Sequence, residues 1–358
     1  MQHLIERLVR PEILALTAYH VPDAAGLIKL DAMENPYGLP EGLRQAWLEQ
    51  LAVVDVNRYP DPQGTRLREA LRAALQIPAD MAILLGNGSD EIIQMLCLTL
   101  AQPGLKVLSV DPGFVMFRLI ARFAGMEYVG VPLRAGDFAL DKEAVLAALA
   151  RERPVLTFLA YPNNPTGNLF EAEALAEIIA AAPGLVVVDE AYAPFTDASF
   201  MERLGDWPNL LVMRTLSKMG LAGLRLGLLA GPPAWLDQID KTRLPYNINV
   251  LTQVSAAFVL GHKARFDEQT QIIRQERQRL FDALAALPGL HPYPSQANFI
   301  LTRVALGRAD ALFQALKAKG ILIKNLNGAH PSLADCLRVT VGTPEENDIF
   351  LATLRASL

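Results

Sequence analysis

The amino-acid sequence predicts an α/β fold in which a large domain built on a mainly parallel sheet is joined to a smaller α+β domain and preceded by an N-terminal arm. Three observations carry this expectation. Apolar runs at 81–85, 105–110, 127–131, 154–160 and 185–189 alternate with amphipathic segments, the pattern of a parallel sheet with helices on both faces. The composition, 51% hydrophobic and 20% charged over 358 residues, suits a well-packed chain long enough for one large core and a second, smaller one. Beyond Pro292 and Pro294 the pattern changes to a strand (298–301), a helix near 308–318, strands near 321–323 and 336–341, and a last helix from Pro344.

Charge and cysteine usage narrow the partners. A net charge of -5 without any block of like charges argues against nucleic acid and against an anionic membrane surface. Cys97 and Cys336 lie far apart among apolar neighbours, so free buried thiols in a reducing compartment are expected, and with them a cytoplasmic location. The five histidines show no metal-type spacing, so no metal is expected. Glu6, Arg7, Arg10 and Glu12 interrupt the apolar positions of the first 16 residues, which excludes a signal-peptide core there and suggests an amphipathic arm. No uncharged run approaches the length of a membrane span.

In chain order, residues 1–40 are Pro-rich and irregular, an arm laid over the surface. Tyr19, Asn35 and Tyr37 are candidate ligand contacts within it, with turn chemistry as the default reading. A helix is expected over 41–52, broken by Asn57-Arg58-Tyr59-Pro60-Asp61-Pro62, where Tyr59 matters only if the loop meets a site. The large domain is expected over 41–245, ending in a helix at 232–243. Residues 245–250 form the junction, and the small domain spans 246–358. Its first part, about 250–287, is helical, with Phe266, Ile273, Leu280, Leu284 and Leu287 at helical spacing and charges on a solvated face.

The chemistry concentrates at strand ends, where ligands collect in open parallel sheets. Arg214-Thr215-Leu216-Ser217-Lys218 lies between two short apolar runs, 209–213 and 226–230. This places a lysine in a polar turn between core strands. Desolvation and the nearby positive charge of Arg225 can lower its pKa, and a neutral amine forms a Schiff base with an aldehyde. Thr215, Ser217 and Arg225 suit a phosphate ester, while an ordinary solvated lysine is the competing reading. Gly86-Asn87-Gly88-Ser89-Asp90-Glu91 follows a strand and opens a helix, so its N–H groups can hold a phosphate. Asp111 falls near the position of a ribose-binding acid. Glu91 replaces the third glycine of a dinucleotide fingerprint, so a single phosphate is the better reading, and a plain capped helix start fits as well. Asp189 ends a valine run, where a buried carboxylate wants a cation such as a protonated pyridine nitrogen or a salt-bridge partner. Tyr192 and Asn164 can reach a phenolic oxygen, and Phe114 can stack on a ring or belong to the core. Arg338 sits on the strand face opposite Leu337 and Val339, aimed at an anion or at solvent.

The order and number of these motifs resemble the fold type I pyridoxal-phosphate aminotransferases over nearly the whole chain. Within that group the chain is most similar to the histidinol-phosphate aminotransferases, through Asp31-Ala32-Met33-Glu34-Asn35-Pro36-Tyr37, Asn57-Arg58-Tyr59-Pro60, the 86–91 turn, Asn163-Asn164-Pro165-Thr166-Gly167, Asp189-Glu190-Ala191-Tyr192, Thr215-Leu216-Ser217-Lys218 and the 337–343 segment. The resemblance implies a seven-stranded large-domain sheet, pyridoxal 5'-phosphate as cofactor, and Lys218 as both its covalent anchor and the acid/base at the substrate α-carbon. It implies that Asp189 pairs with the pyridinium nitrogen, that Asn164 and Tyr192 hold the phenolic oxygen, and that Phe114 lies against the ring. Gly88, Ser89, Asp90, Thr215, Ser217 and Arg225 would meet the phosphate, joined by Tyr59 from the other subunit of a homodimer with shared active sites. Tyr19, Asn35, Arg338 and Lys324 would face substrate, with L-histidinol phosphate and 2-oxoglutarate as reactants and imidazole-acetol phosphate and glutamate as products.

Two features depart from the pattern. Arg225 lies seven positions after Lys218, one fewer than in many relatives. Lys324 stands where they often carry an arginine and keeps the charge without the bidentate fork. On the same scaffold, threonine-phosphate decarboxylation and aromatic amino-acid transamination are alternative reactions. A ligand-binding regulator would need a DNA-binding module, and only a short, non-basic arm precedes the fold. A nicotinamide-dependent dehydrogenase would leave Lys218 without a purpose.

Overall fold

Burial on both faces is what turns the valine- and leucine-rich runs into central strands. The computed structural model describes residues 1–18 and 21–358. Helices α1 (Gln2–Leu8) and α2 (Pro11–Leu14) and strand β1 (Ile28–Leu30) make up the arm. The large domain follows as α3 (Glu41–Ala52), α4 (Thr65–Leu75), β2 (Ala82–Gly86), α5 (Ser89–Leu100), β3 (Lys106–Asp111), α6 (Val115–Phe123), β4 (Glu127–Pro132), α7 (Lys142–Glu152), β5 (Leu156–Ala160), α8 (Ala172–Ala181), β6 (Leu185–Asp189), β7 (Leu210–Thr215), β8 (Gly227–Gly231) and α9 (Pro233–Ile239). Its seven strands run in the order β2-β8-β7-β6-β5-β3-β4. Only β8 is antiparallel to its neighbours, and the strands from β7 across to β4 pair in parallel.

Side chains alternate across this sheet. Val186 and Val188 of β6 pack with Leu149 of α7, Ile178 of α8 and Val259 of α10 (Val250–Leu260). Val187 points the other way, into a core shared with Ile92 and Leu96 of α5, Phe117 of α6 and Leu236 of α9. The two-residue period of a strand therefore fills both layers at once.

The central strands of the small sheet are also buried on both faces. Helix α11 (Lys263–Ala285) leads into β9 (Leu290–Pro292), β10 (Phe299–Val304), α12 (Ala309–Ala318), β11 (Ile321–Asn325), β12 (Cys336–Thr340) and α13 (Pro344–Arg355), with strand order β1-β11-β12-β10-β9. Its core joins Ile273, Leu280 and Leu284 of α11 to Leu312, Leu316, Phe350 and Leu354. Phe266, near the start of α11, belongs instead to the large core together with Ile248, Ala256 and Val259. One long helix thus threads both cores. The junction expected at 245–250 lies in an irregular stretch ahead of it.

The expected helical stretch at 250–287 is two helices, interrupted at Gly261 and His262. The arm is also more regular than its prolines suggest, because Ile28, Lys29 and Leu30 pair in parallel with Ile321, Leu322 and Ile323. Strand β9 was likewise unmarked by any pattern; three residues are too few to show a period.

Candidate active site

The parallel strands β5, β6 and β7 end together, and a cavity of about 220 Å³ opens against those ends. Asp189 closes β6, opposite Ala160 of β5 and Met213 of β7. Its carboxylate is buried and accepts one hydrogen bond from Ala191 N at 3.0 Å. Burial pushes its pKa up to about 7, with Asp90 and Glu190 adding to the shift and Lys218 opposing it. Such a carboxylate wants a cation from whatever fills the cavity.

Lys218 lies on the tight turn Ser217–Met219 after β7. Its Nζ donates to Ala32 O at 3.1 Å and stands 5.8 Å from the centre of the Tyr192 ring. Burial, and then the charge of Arg338, bring its pKa down to about 8, against Glu34 and Asp90. The sequence pointed to Arg225 as the neighbouring cation, and here the structure differs. Arg225 takes a left-handed backbone (φ +49°), is half-exposed, and reaches Asp90 at 3.7 Å. The cation acting on Lys218 comes from β12, 120 residues away in sequence.

One end of the cavity is built for an anion. Gly88 has φ +84°, and a Cβ there would come within 2.6 Å of Arg225 Nη2, so the guanidinium rests on bare backbone at the start of α5. Ser89, Asp90, Thr215, Ser217 and Arg225 line this end. Thr215 Oγ1 and Ser217 Oγ share a hydrogen bond of 2.8 Å. Asp90 is the one acid present, and burial raises its pKa while Arg225 and Lys218 lower it. At the other end Asn164 Nδ2 donates to Tyr192 OH at 3.0 Å, and Asn164 Oδ1 accepts from Arg338 Nη1 at 2.6 Å. Burial raises the Tyr192 pKa above its usual range. Arg338 is itself buried, donates to Asp31 O at 3.3 Å and lies over the Phe299 ring at 5.1 Å. An anion cradle, a cation-seeking carboxylate, an oxygen-binding pair and a lysine of lowered pKa form the donor set that pyridoxal 5'-phosphate requires, and the residues fit it.

A second chamber of about 170 Å³ shares Met33, Phe114 and Asn164 with the first, and adds Asp111, Arg118, Tyr128, Lys324, His330 and Arg338. Substrate-sized groups beyond the cofactor would enter here. A larger cleft, about 310 Å³, runs past Glu190, Ser199 and Arg214 and does not include Lys218. Its central polar groups already satisfy one another: Arg214 Nη2 meets Glu190 Oε2 at 2.7 Å, and Ser199 Oγ donates to Glu190 at 3.0 Å.

The structure therefore brings Ser89, Asp90, Phe114, Asn164, Asp189, Tyr192, Thr215, Ser217, Lys218 and Arg225 to one cavity wall, with Gly88 beneath Arg225. Arg338 and Lys324 line the adjoining chamber. Asn35 is placed beside the Lys218 turn, with Nδ2 on Met219 O and Gln269 Oε1, each at 3.2 Å, and Oδ1 accepting from Tyr37 N. Tyr59 is 80% exposed and stacks on Tyr246 at 4.5 Å, away from this chain's cavity. Tyr19 lies outside the described residues. Sequence reasoning overlooked Ala32, Met33 and Glu34 as cavity wall and Arg118 and Tyr128 in the second chamber. Arg118 carries no local signal, being one of two arginines on a short helix.

Residues 25–354 match the family described as aminotransferase class I and II. The chain is 56% identical over 360 residues to histidinol-phosphate aminotransferase 2 of Cupriavidus pinatubonensis, covering 99% of this chain and 98% of that one. It is 54% identical over 355 residues to the histidinol-phosphate aminotransferase of Chromobacterium violaceum, covering 99% of each. Among solved structures, the histidinol-phosphate aminotransferase of Sinorhizobium meliloti in complex with pyridoxal-5'-phosphate superposes with a TM-score of 0.86 at 29% identity, over 98% of this chain and 97% of that one. The L-threonine-O-3-phosphate decarboxylase of Porphyromonas gingivalis shares the fold, with a TM-score of 0.79 at 22% identity over 92% of this chain and 99% of that one.

Proposed function

The chain belongs to the class I and II aminotransferases, and on that premise we propose that it is a histidinol-phosphate aminotransferase of histidine biosynthesis. It moves the amino group of L-histidinol phosphate to 2-oxoglutarate, giving imidazole-acetol phosphate and L-glutamate. The observation that carries the reading is the cavity in which Lys218, Asp189 and the Gly88–Ser89 cradle face one another, in a chain 56% identical to a relative of that name over 99% of its length.

Pyridoxal 5'-phosphate, when bound, supplies the electron sink that lets a proton leave the substrate α-carbon. Asp189 would hold the ring nitrogen and keep it protonated. Asn164 and Tyr192 would hold the ring oxygen, Phe114 would lie against the ring, and Ser89, Asp90, Thr215, Ser217 and Arg225 would grip the phosphate. Lys218 anchors the cofactor and then carries the proton at the α-carbon, a task suited to an amine whose pKa is brought down to about 8. Arg338 receives the carboxylate of glutamate in one half-reaction and the substrate phosphate in the other, with Asn35, Lys324 and Tyr19 on the substrate side.

The enzyme acts as a homodimer, in which Tyr59 of each subunit reaches the cofactor phosphate of the other. The exposure of Tyr59 and its stacking on Tyr246 support this arrangement. A cytoplasmic location accords with two buried free cysteines. No helix among the described residues is long and apolar enough to cross a membrane.

The test is the visible spectrum of the cofactor-loaded protein. L-Histidinol phosphate alone should convert the cofactor band to that of its aminated form, and 2-oxoglutarate should restore it. A band that ignores histidinol phosphate but responds to aromatic amino acids, or carbon dioxide released from threonine phosphate, would move the substrate to a rival reaction.

A further inference from the structure

We propose that Arg118 joins Arg338 in binding the phosphate of the amino donor in the second chamber, and that Arg118 is the residue that makes this phosphate a determinant of specificity. The inference rests on the reading of the substrate as a phosphorylated amine. That chamber is lined by three cationic side chains, Arg118, Lys324 and Arg338, against one carboxylate, Asp111. The excess of positive charge calls for a dianion rather than a neutral tail.

The three cations come from two directions. Lys324 and Arg338 are cross-strand partners on β11 and β12 of the small sheet. Arg118 comes from α6 of the large domain, so the chamber draws its cations from both the large and the small sheet's surroundings. Arg338 is already engaged by Asn164 at 2.6 Å and by Asp31 O, next to the cofactor cavity. Lys324 offers a point charge. Arg118 adds the planar fork, the group best matched to two phosphate oxygens.

Arg118 is also held ready for this task. Its Nη2 donates to Asp111 Oδ2 at 2.6 Å, and its guanidinium lies 5.0 Å from the centre of the Tyr128 ring. Tyr128 OH in turn donates to Asp111 Oδ1 at 3.2 Å. The seat depends on Gly130, where a Cβ would fall 1.7 Å from Asp111 Oδ2. Strands β3 and β4 and helix α6 thus fix one edge of the guanidinium, and only Nη2 has a hydrogen-bond partner among the described residues. A preorganised donor set loses little freedom when the anion arrives.

The experiment compares cofactor-loaded wild type, Arg118→Gln and Arg118→Lys on three substrates: L-histidinol phosphate, L-histidinol and 2-oxoglutarate. Circular dichroism confirms that each variant is folded, and the lysine variant serves should the glutamine variant not be. We expect Arg118→Gln to lower kcat/KM for histidinol phosphate about ten- to a hundredfold, mainly through KM. Histidinol and 2-oxoglutarate should change less than about threefold, so the preference for phosphate collapses, and Arg118→Lys should recover part of it. Equal losses on both amines would mark a structural role and overturn the inference. So would an unchanged phosphate preference, or a loss confined to 2-oxoglutarate. If wild type does not turn over histidinol phosphate, the proposed function falls first. Inhibition of whatever transamination it performs by glycerol 3-phosphate then decides the matter separately: weaker inhibition in Arg118→Gln supports the anion site, and equal or absent inhibition refutes it.

Discussion

At the scale of the residue, two groups have pKa values moved well away from their ordinary ones, and each makes a prediction. Lys218 has its pKa brought down to about 8, so the rate at which the cofactor-free protein captures pyridoxal 5'-phosphate should rise with pH through that value, because only the neutral amine attacks an aldehyde. A flat profile from pH 6.5 to 9 would remove Lys218 from that role. Replacing it with alanine should cut multiple-turnover transamination by about a thousandfold or more; steady-state rates check this. Asp189 has the opposite shift, from 3.8 up to about 7, so between those values the folded cofactor-free protein holds a proton that the unfolded chain does not. Its stability should therefore fall as pH rises through that window, on the order of a few kcal/mol. Asp189→Asn should flatten the curve of thermal midpoint against pH. Both residues were legible in the sequence because each ends or follows an apolar run, where a polar group has few possible positions. The partner that perturbs Lys218 was not, since Arg338 becomes its neighbour only when β12 of the small sheet is set beside the large domain.

At the scale of the element, the anion cradle depends on close backbone contact between β8 and α5. A Cβ on Gly227 would lie 2.7 Å from Gly88 C and Ser89 N, whereas a Cβ on Gly88 meets the flexible end of Arg225 at 2.6 Å. Backbone cannot swing aside as a guanidinium can. Gly227→Ala should therefore weaken cofactor binding about five- to a hundredfold, measured by equilibrium titration, and wild-type affinity in that variant would sink this account of the cradle. Behind the site, Glu190 and Arg214 link the loop after β6 to β7, with the Glu190 side chain fully buried. Arg214→Ala leaves that carboxylate without its cation and should cost about 3–5 kcal/mol in urea unfolding. The long strands and helices of this framework were readable from their periodicity. Strands β1 and β9, three residues each at the two edges of the small sheet, were not, because an edge strand of that length is defined by its partner.

At the scale of the whole molecule, the shared-site reading is tested by mixing chains. Lys218→Ala and Tyr59→Ala homodimers should each be impaired, but a hybrid dimer contains one site with an intact Lys218 and an intact Tyr59 from across the interface. Recovery of wild-type cofactor affinity at that site, after the two proteins are unfolded and refolded together, is the expected result. Independent sites would show none. Within one subunit the site already draws on distant parts of the chain: Arg338 of β12 is bonded to Asn164 of the large domain and to Asp31 of the arm, and β1 of that arm is paired with β11. This tie has a consequence for how the protein is made. A nascent chain on the ribosome carries Lys218, Asp189 and the Gly88 turn long before residue 338 of 358 is translated, and until then Arg338, whose charge adds to burial in lowering the lysine's pKa, is missing. A chain truncated before β12 is therefore expected to bind the cofactor more weakly than the full-length chain, because Arg338 and its bonds to Asn164 and Asp31 are lost.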